Sequence, residues 1–264
     1  MGDVSYKPLI SDMTWSYSRI KAFEDCRYAW YLNYIRFPGR EGKKLFFASY
    51  GTFMHELLEA FNKGEKTALD LQAEYLENFR LRVATPAPNE KVFTSYFMDG
   101  LDHLRRIQLS ENRVLSVEGR IEFEVGGVPF VGYIDLVEEA EDSSIILIDN
   151  KSRALKPRSN RKKPTKTDQE LDDYLRQLYL YSAFIKEAYG RFPEKLCFNC
   201  FRKGVFIEER FNEDVYDKAI AWFLERIGAI IEETDFYPDV DWFRCRYLCD
   251  HSDICEYFEL SQRR

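Results

Sequence analysis

Residues 128–151 read VPFVGYIDLVEEAEDSSIILIDNK, and this stretch decides the fold. Two strand-like apolar runs, Val128 to Val137 and Ile145 to Lys151, flank the polar turn segment Glu138 to Ser144. Side chains alternate across a strand with a period of two. In the second run Ile145, Leu147, Asp149 and Lys151 therefore share one face, while Asn150 points away. In the first, Asp135 shares a face with Val131, Tyr133 and Val137. If the runs pair, Asp135 and Asp149 meet at one end of the sheet. Two carboxylates in apolar strands are costly to bury unless paired or bound to a cation. With Mg²⁺ or Mn²⁺ they form an oxygen-rich site for a phosphate and an attacking water. Lys151 beside them can orient that water and stabilise developing charge. The plainer alternative is an Asp149–Lys151 ion pair at a strand end, with Asp135 solvated.

Working outward, Ser116 to Val125 is a third strand joined to the first pair through Gly126-Gly127. Upstream the period is 3.6. Trp15 to Cys26, followed by Tyr28, Trp30, Tyr31 and Leu32, reads as a Ser-capped, aromatic-rich helix. A second helix is expected to start after Gly51 with Thr52 as N-cap. Its Met54, Leu57, Leu58 and Phe61 form a core stripe, and His55 lies on the flank of that stripe. Residues from about 67 to 109 read as two more helices divided by Thr85-Pro-Ala-Pro-Asn89. Downstream come a helix from about Gln169 to Tyr189, two strands flanking Lys203-Gly204, and a helix from about Asp214 to Glu233. Gln177 and Tyr181 are i, i+4 neighbours on the first of these helices, beside its core face. This order gives a mixed α/β fold with helical additions. Residues 1–264 are expected to form one domain, with a helical insertion over about 52–110 and a cysteine-rich tail over about 240–258.

The chain has 264 residues, 45% of them hydrophobic and 31% charged, enough to bury a sizeable core. No apolar run approaches the roughly 18 residues that a membrane span needs. The opening Met1 to Tyr6 has neither a basic nor an apolar leader segment, so a cytoplasmic, intracellular protein is expected. The net charge of −7 argues against a nucleic-acid partner until its distribution is examined. Lys151, Arg153, Lys156, Arg158, Arg161, Lys162, Lys163 and Lys166 fall in one stretch with no acidic residue, broken by Pro157 and Pro164. Removing them leaves 30 basic against 45 acidic residues. Such a run is a solvated loop, and phosphate contact is its functional reading.

Six cysteines in a reducing compartment rarely mean disulfides. Cys245, Cys249 and Cys255 crowd the C-terminal part and ask for a metal. Cys197 and Cys200 show a metal-like spacing, but in a strand residues i and i+3 face opposite ways, so they read as ordinary sheet cysteines.

In chain order, Trp15-Ser-Tyr-Ser-Arg19 to Cys26, Gly51-Thr-Phe-Met-His55, Gly132-Tyr-Ile-Asp135, Ile148-Asp-Asn-Lys151, Gln177-Leu-Tyr-Leu-Tyr181 and the cysteine tail form a recognisable series. Over roughly residues 14 to 257 the chain resembles the RecB-type branch of the PD-(D/E)XK nuclease superfamily, which includes the AddB nuclease domain, CRISPR-adaptation nucleases and phage exonucleases. The resemblance implies a restriction-endonuclease-like core, a central mixed sheet flanked by helices. It implies that His55, Asp135 and Asp149, with the Asn150 backbone carbonyl, ligate the metal, and that Lys151 is catalytic. Gln177 and Tyr181 match the family's QxxxY element, which contacts DNA. Where the family nominally has proline before the first aspartate, Ile134 stands here. Members with a cluster hold [4Fe–4S] through one early and three late cysteines, a layout matched by Cys26, Cys245, Cys249 and Cys255, which would join the two ends of the chain. The late spacing here is C-x3-C-x5-C, against the usual C-x2-C-x5-C. Four thiolates suit an iron–sulfur cluster or zinc equally on ligand chemistry.

The implied activity is a metal-dependent DNA exonuclease, with single-stranded DNA and 5′→3′ polarity favoured. It would serve recombination, repair or phage or CRISPR DNA processing beside a helicase, a recombinase or an adaptation partner. The alternative class is a non-catalytic DNA-binding or assembly module that keeps the fold. For the basic loop, Arg158, Arg161, Lys162 and Lys163 are the expected DNA contacts.

Overall fold

The structure, a computed structural model, describes residues 5–262, so most of the Met1 to Tyr6 opening lies outside the described residues. Three short helices open it: α1 (Lys7–Ser11), α2 (Tyr17–Asp25) and α3 (Arg27–Tyr31), the last running into a π-helical turn, Leu32–Arg36. Ser16 caps α2 as expected, its side chain accepting the Arg19 N–H. Then come α4 (Phe46–Asn62), α5 (Ala68–Arg82) and α6 (Glu90–Arg106). Strands β1 (Arg113–Val125), β2 (Val128–Glu139) and β3 (Ile145–Asn150) follow, then α7 (Lys166–Tyr189), β4 (Lys195–Cys200) and β5 (Val205–Arg210). Helices α8 (Glu213–Ile231) and α9 (Trp242–Tyr247) and a 3₁₀ turn, Phe258–Gln262, complete the chain. Among the described residues no helix is long and apolar enough to cross a membrane.

The aromatic-rich helix read from Trp15 through Leu32 is broken at Cys26, whose extended backbone ends α2 and caps α3, and two helix starts also differ from the sequence reading. Helix α4 starts at Phe46 rather than after Gly51, because Phe46, Tyr50 and Phe53 carry the buried stripe one and a half turns further back. Gly51 and Thr52 are therefore interior helical residues, and Thr52 caps nothing. Helix α7 starts at Lys166, because Thr165 and Asp168 form a reciprocal capping box ahead of Gln169.

The five strands lie in the order β1-β2-β3-β4-β5. All neighbours are antiparallel except β3 and β4, which are parallel and connected through α7. This is the α/β fold that the pattern of strands and helices called for, with the central mixed sheet flanked by helices that the resemblance implied.

Two apolar cores form. The larger lies between the sheet and α2, α3, α7 and α8, with Trp15, Trp30, Phe130, Phe198 and Phe223 all buried. The second fills α4, α5 and α6 with Phe46, Tyr50, Phe53, Tyr75 and Phe79. Phe201, from the 3₁₀ turn Phe201–Lys203 between β4 and β5, is fully buried in that helical core. Next to it Arg202 stacks 3.5 Å from the Tyr96 ring, donates to Asp99 of α6 at 3.1 Å and reaches the Ser152 carbonyl at 3.5 Å. The helical layer is thus pinned to the sheet one residue past Lys151.

The C-terminal tail packs on the N-terminal helices. Arg27 pairs with Glu233 at 2.6 Å, Tyr28 donates to Glu256 at 2.5 Å, and Arg40 pairs with Asp253 at 2.6 Å. Arg244 donates to the Asp25 carbonyl, at the residue preceding Cys26.

His103 of α6 lies against Phe201, ring centroids 5.6 Å apart, and its Nε2 is buried without a hydrogen-bond partner among the described residues. Burial, and then the Arg106 charge, lower its pKa to about 4. A depressed histidine stabilises the fold fully above its unfolded value near 6.5 and progressively less as pH falls towards the folded value. Wild type should therefore lose up to about 3 kcal/mol relative to His103→Leu between pH 7 and 4. Urea unfolding of both proteins across that range checks it; parallel curves would remove His103 from the acid sensitivity.

Candidate active site

The antiparallel register of β2 and β3 includes Leu136 opposite Ile148, which brings Asp135 and Asp149 together one residue further along. Both carboxylates are buried, at 7% and 5% exposure. Asp135 Oδ2 accepts the Asn150 backbone N–H at 2.6 Å, so the first acid is bonded to the backbone next to the second. Lys151 follows the last residue of β3. Its own N–H donates to the Asn199 carbonyl at 2.9 Å, which keeps the strand's alternation going and turns its side chain toward Asp149.

Lys151 Nζ lies 2.8 Å from Asp149 Oδ2 and donates to Gln177 Oε1 at 3.0 Å. Gln177 Nε2 in turn donates to the Tyr181 hydroxyl at 3.0 Å. The two α7 residues read from sequence as i, i+4 neighbours beside the core face are thus the far end of a chain that starts at the carboxylates. Gly132 makes room for it: a Cβ there would lie 2.6 Å from Tyr181 Cε1. Burial pushes Lys151 down, but Asp149 more than offsets this and its pKa is raised. Burial holds the Asp149 carboxyl above its usual range despite Lys151.

His55 reaches the same end of the sheet from α4. Its Nδ1 lies 3.5 Å from Asp135 Oδ1 and 3.3 Å from Glu118 Oε1. Burial lowers its pKa, but the hydrogen bonds and charges of Asp135 and Glu118 outweigh it and raise it to about 10. Glu118 was missed in the sequence. It stands on β1 between the pairs Val117 with Leu136 and Gly119 with Ile134, and so across from Asp135. Its φ of +45° places a non-glycine residue in the left-handed region, a strain of order 1–3 kcal/mol that the surrounding strands hold in place. Burial raises its pKa, against the pull of His55. The signal available was register: once β1 and β2 pair antiparallel, a carboxylate falls opposite Asp135.

Ligand atoms of His55, Glu118 and Asp135 all lie within 4.8 Å of one another. One imidazole nitrogen and several carboxylate oxygens suit Mn²⁺ or Mg²⁺. Asp149 adds a second buried carboxylate at this end of the sheet, held by the Lys151 ammonium at 2.8 Å. The donor set therefore fits a divalent metal ion.

The other expected residues fall into two groups. Cys26 is the N-cap of α3, with its Sγ accepting the Ala29 N–H at 3.5 Å. Cys26, Cys245 and Cys249 line one cavity of about 190 Å³ between α2, α3 and the tail. Cys255 is close enough that its thiol pKa is raised, first by burial and then by the charges of Cys26 and Cys245. The tail thus brings Cys26, Cys245 and Cys249 to one cavity as free thiols, although among the described residues the ligand atoms that converge within 4.8 Å are those of His55, Glu118 and Asp135 and not those of the cysteines. Cys197 and Cys200 are fully buried in separate apolar clusters, as expected for opposite faces of a strand.

The basic loop is less free than its composition implies. Leu155 is buried, and Ser159 donates to the buried Asp168 through both N–H and hydroxyl at 2.7 Å. Arg158 is held by Asp172 at 2.7 Å and Glu209 at 3.1 Å, so the expectation of a freely solvated Arg158 gives way to an ion-paired one. Arg161, Lys162 and Lys163 are exposed.

Residues 14–256 match the family model of the PD-(D/E)XK nuclease superfamily. Among solved structures, a candidate exonuclease from Eubacterium rectale matches with a TM-score of 0.50 and 11% identity, the match covering 100% of this chain and 92% of that one. The protein SSO0001 matches with a TM-score of 0.32 and 17% identity, over 78% of this chain and 95% of its own. Curated protein sequences gave no match. At such identities solved structures speak for the fold alone, but the family match spans nearly the whole sequence. The chain belongs to the PD-(D/E)XK nuclease superfamily.

Proposed function

We propose that this protein is a divalent-metal-dependent deoxyribonuclease that degrades DNA from free, single-stranded ends. The observation that carries the reading is the continuous polar chain through Asp135, Asp149, Lys151, Gln177 and Tyr181, joined at Asp135 by His55 and Glu118. Two buried carboxylates, a half-buried lysine and a histidine are an expensive group to keep in a sheet end with no chemistry to perform. This weighs against a non-catalytic module. Bound Mn²⁺ or Mg²⁺ would polarise a phosphate oxygen and lower the pKa of a water. His55, Asp135 and Asp149, with the Asn150 carbonyl, would hold the ion, and Glu118 adds a further oxygen beside His55. Lys151, fixed by Asp149 on one side and Gln177 on the other, presents its charge where negative charge builds on the phosphate. Tyr181 and Gln177 keep that ammonium aimed. Arg161, Lys162 and Lys163, exposed on the loop that follows Lys151, offer phosphate contacts.

Cys26, Cys245, Cys249 and Cys255 would bind a [4Fe–4S] cluster that clips the ends of the chain together, zinc being the alternative occupant. Thiolates gathered from positions 26 and 245 close a loop of some 219 residues. Such a closure restricts the unfolded chain by several kcal/mol.

Three outcomes are expected. Asp149→Asn and Lys151→Ala should each slow cleavage of end-labelled single strands by at least about 10²-fold while leaving DNA binding nearly intact. Strands blocked at the 5′ or 3′ end, RNA strands, and assays in EDTA complete the test. Cleavage at wild-type rate by both variants, or in EDTA, would end the assignment. Glu118→Gln should raise the Mn²⁺ concentration needed for half-maximal rate by roughly tenfold, since neighbours of a metal site tune its affinity on that scale. A metal titration that overlays wild type would leave Glu118 a structural partner of His55 alone. Cys26→Ala should purify depleted in iron and sulfide and melt earlier than wild type, whereas Cys197→Ala should keep its iron. Colourless wild-type protein carrying one zinc would keep the clip and replace the cluster.

A further inference from the structure

Strand β3 is paired unequally at its end. Its register with β2 stops at Leu136 opposite Ile148, whereas its register with β4 runs on to Asn150 opposite Asn199. Asp149 and Asn150 are therefore laddered to β4 alone. On the β2 side the Asn150 N–H is given to the Asp135 carboxylate. The Lys151 N–H points the other way, to the Asn199 carbonyl at 2.9 Å. In a planar trans peptide the C=O and N–H point in opposite directions, so the Asn150 carbonyl is turned toward Asp135. Its side chain goes to the face shared with Ile146 and Ile148, away from α7.

On that face the Asn150 amide is held by one bond. Asn199 Nδ2 donates to Asn150 Oδ1 at 2.9 Å, while Asn150 Nδ2 is buried without a hydrogen-bond partner among the described residues. Both amides line a cavity of about 410 Å³, together with the apolar Leu136, Ile148 and Cys197. Cavity space beside the amide leaves it room to rotate, and the bond to Asn199 opposes that rotation. One residue of β4 thus grips two consecutive residues of β3, Asn150 by its side chain and Lys151 by its backbone. For stability alone a leucine pair would serve here, since replacing both partners of a buried hydrogen bond by apolar groups of similar shape is close to neutral. An amide pair that leaves one donor unpaired costs more than that and supplies direction in return.

We propose that Asn199 is a positioning residue for the metal site. Through its amide bond to Asn150 it fixes the peptide between Asn150 and Lys151, and so the direction from which the Asn150 carbonyl and the Lys151 ammonium meet a bound ion and its phosphate. The inference rests on the nuclease reading above and deepens it with a residue that acts through its neighbours. Groups that hold a ligand in place from behind change metal affinity or rate by about 10- to 100-fold.

Mn²⁺ binding without DNA, followed by titration calorimetry, reads this clamp directly. Asn199→Leu and Asn150→Leu should each weaken Mn²⁺ binding by roughly tenfold. The double variant should be no weaker than either single one, because the two side chains act as one unit. It should also melt close to wild type, since no amide is left unpaired, which separates lost affinity from lost fold. Asn199→Asp should bind Mn²⁺ at least as tightly as wild type, its carboxylate accepting from Nδ2 of the Asn150 amide. In cleavage at a fixed, limiting Mn²⁺ concentration the leucine variants should lose kcat and keep the wild-type KM for the strand. Should Asn199→Leu not fold, Asn199→Ser, too short to reach Asn150, is held to the same loss. Wild-type Mn²⁺ affinity in the leucine variants, a double variant that sums the two losses, or an Asn199→Asp variant as weak as Asn199→Leu would overturn the clamp and leave the nuclease reading standing. Wild-type protein that neither binds Mn²⁺ nor cleaves DNA would overturn the nuclease reading, and the clamp with it.

Discussion

The site depends on one hydrogen bond, the Asn150 N–H to Asp135 Oδ2 at 2.6 Å. It can form only when β2 and β3 pair in the register that sets Leu136 against Ile148. A slip of one residue would send Asp149 to the other face of the sheet and exchange it for Asn150. The register is protected by burial. Val137 and Leu147, on the face towards α7, are fully inaccessible, and Leu136 and Ile148 fill a separate cluster on the other side. Apolar packing on both faces thus holds two charged groups at a spacing that electrostatics alone would oppose. The repulsion is relieved from outside the strand pair, by Lys151 beside Asp149 and by His55 beside Asp135.

The cleft is also a seam between two cores. His55 belongs to the helical layer, while the aspartates belong to the sheet. Its distance to Asp135 is therefore set by whatever fixes α4 over the sheet. Phe201 in the helical core and Arg202 between Asp99 and Ser152 do this work from a single 3₁₀ turn. One short connection between β4 and β5 thus anchors the helical layer one residue past Lys151. The strained backbone of Glu118 lies on the same seam, opposite Asp135, and places a second carboxylate on His55. Strain of this kind persists where neighbours over-determine it, and it clusters at functional sites.

Much of this could be read from residues alone, because it rests on local periodicity. Alternation placed Asp149 and Lys151 on one face, and the i, i+4 relation put Gln177 beside Tyr181. What escaped was tertiary. Glu118 looks like any exposed acid in a strand until β1 is set against β2. The start of α4 escaped because Gly51 and Thr52 carry an N-terminal signal that the apolar stripe through Phe46 and Tyr50 overrides. Arg158 read as a free cation because its partners, Asp172 and Glu209, are 14 and 51 positions away. Composition shows which charges a segment has, but not which remain unpaired after folding.

That last distinction bears on how an acidic nuclease can hold a polyanion. With 45 acidic against 38 basic residues, most of the surface repels nucleic acid. Many arginines are consumed internally: Arg27, Arg40, Arg158, Arg202 and Arg244 all face carboxylates. Exposed cations without an ion pair among the described residues remain on several segments, among them Arg161 to Lys163 and Lys43 and Lys44. A strand approaching such a surface gains counterion release where unpaired cations lie and is disfavoured over the acidic remainder. Attraction and repulsion then act in the same direction, and both reduce unproductive binding away from the cleft. The net negative charge is in this sense part of the specificity, because it disfavours a polyanion wherever unpaired lysine and arginine are absent.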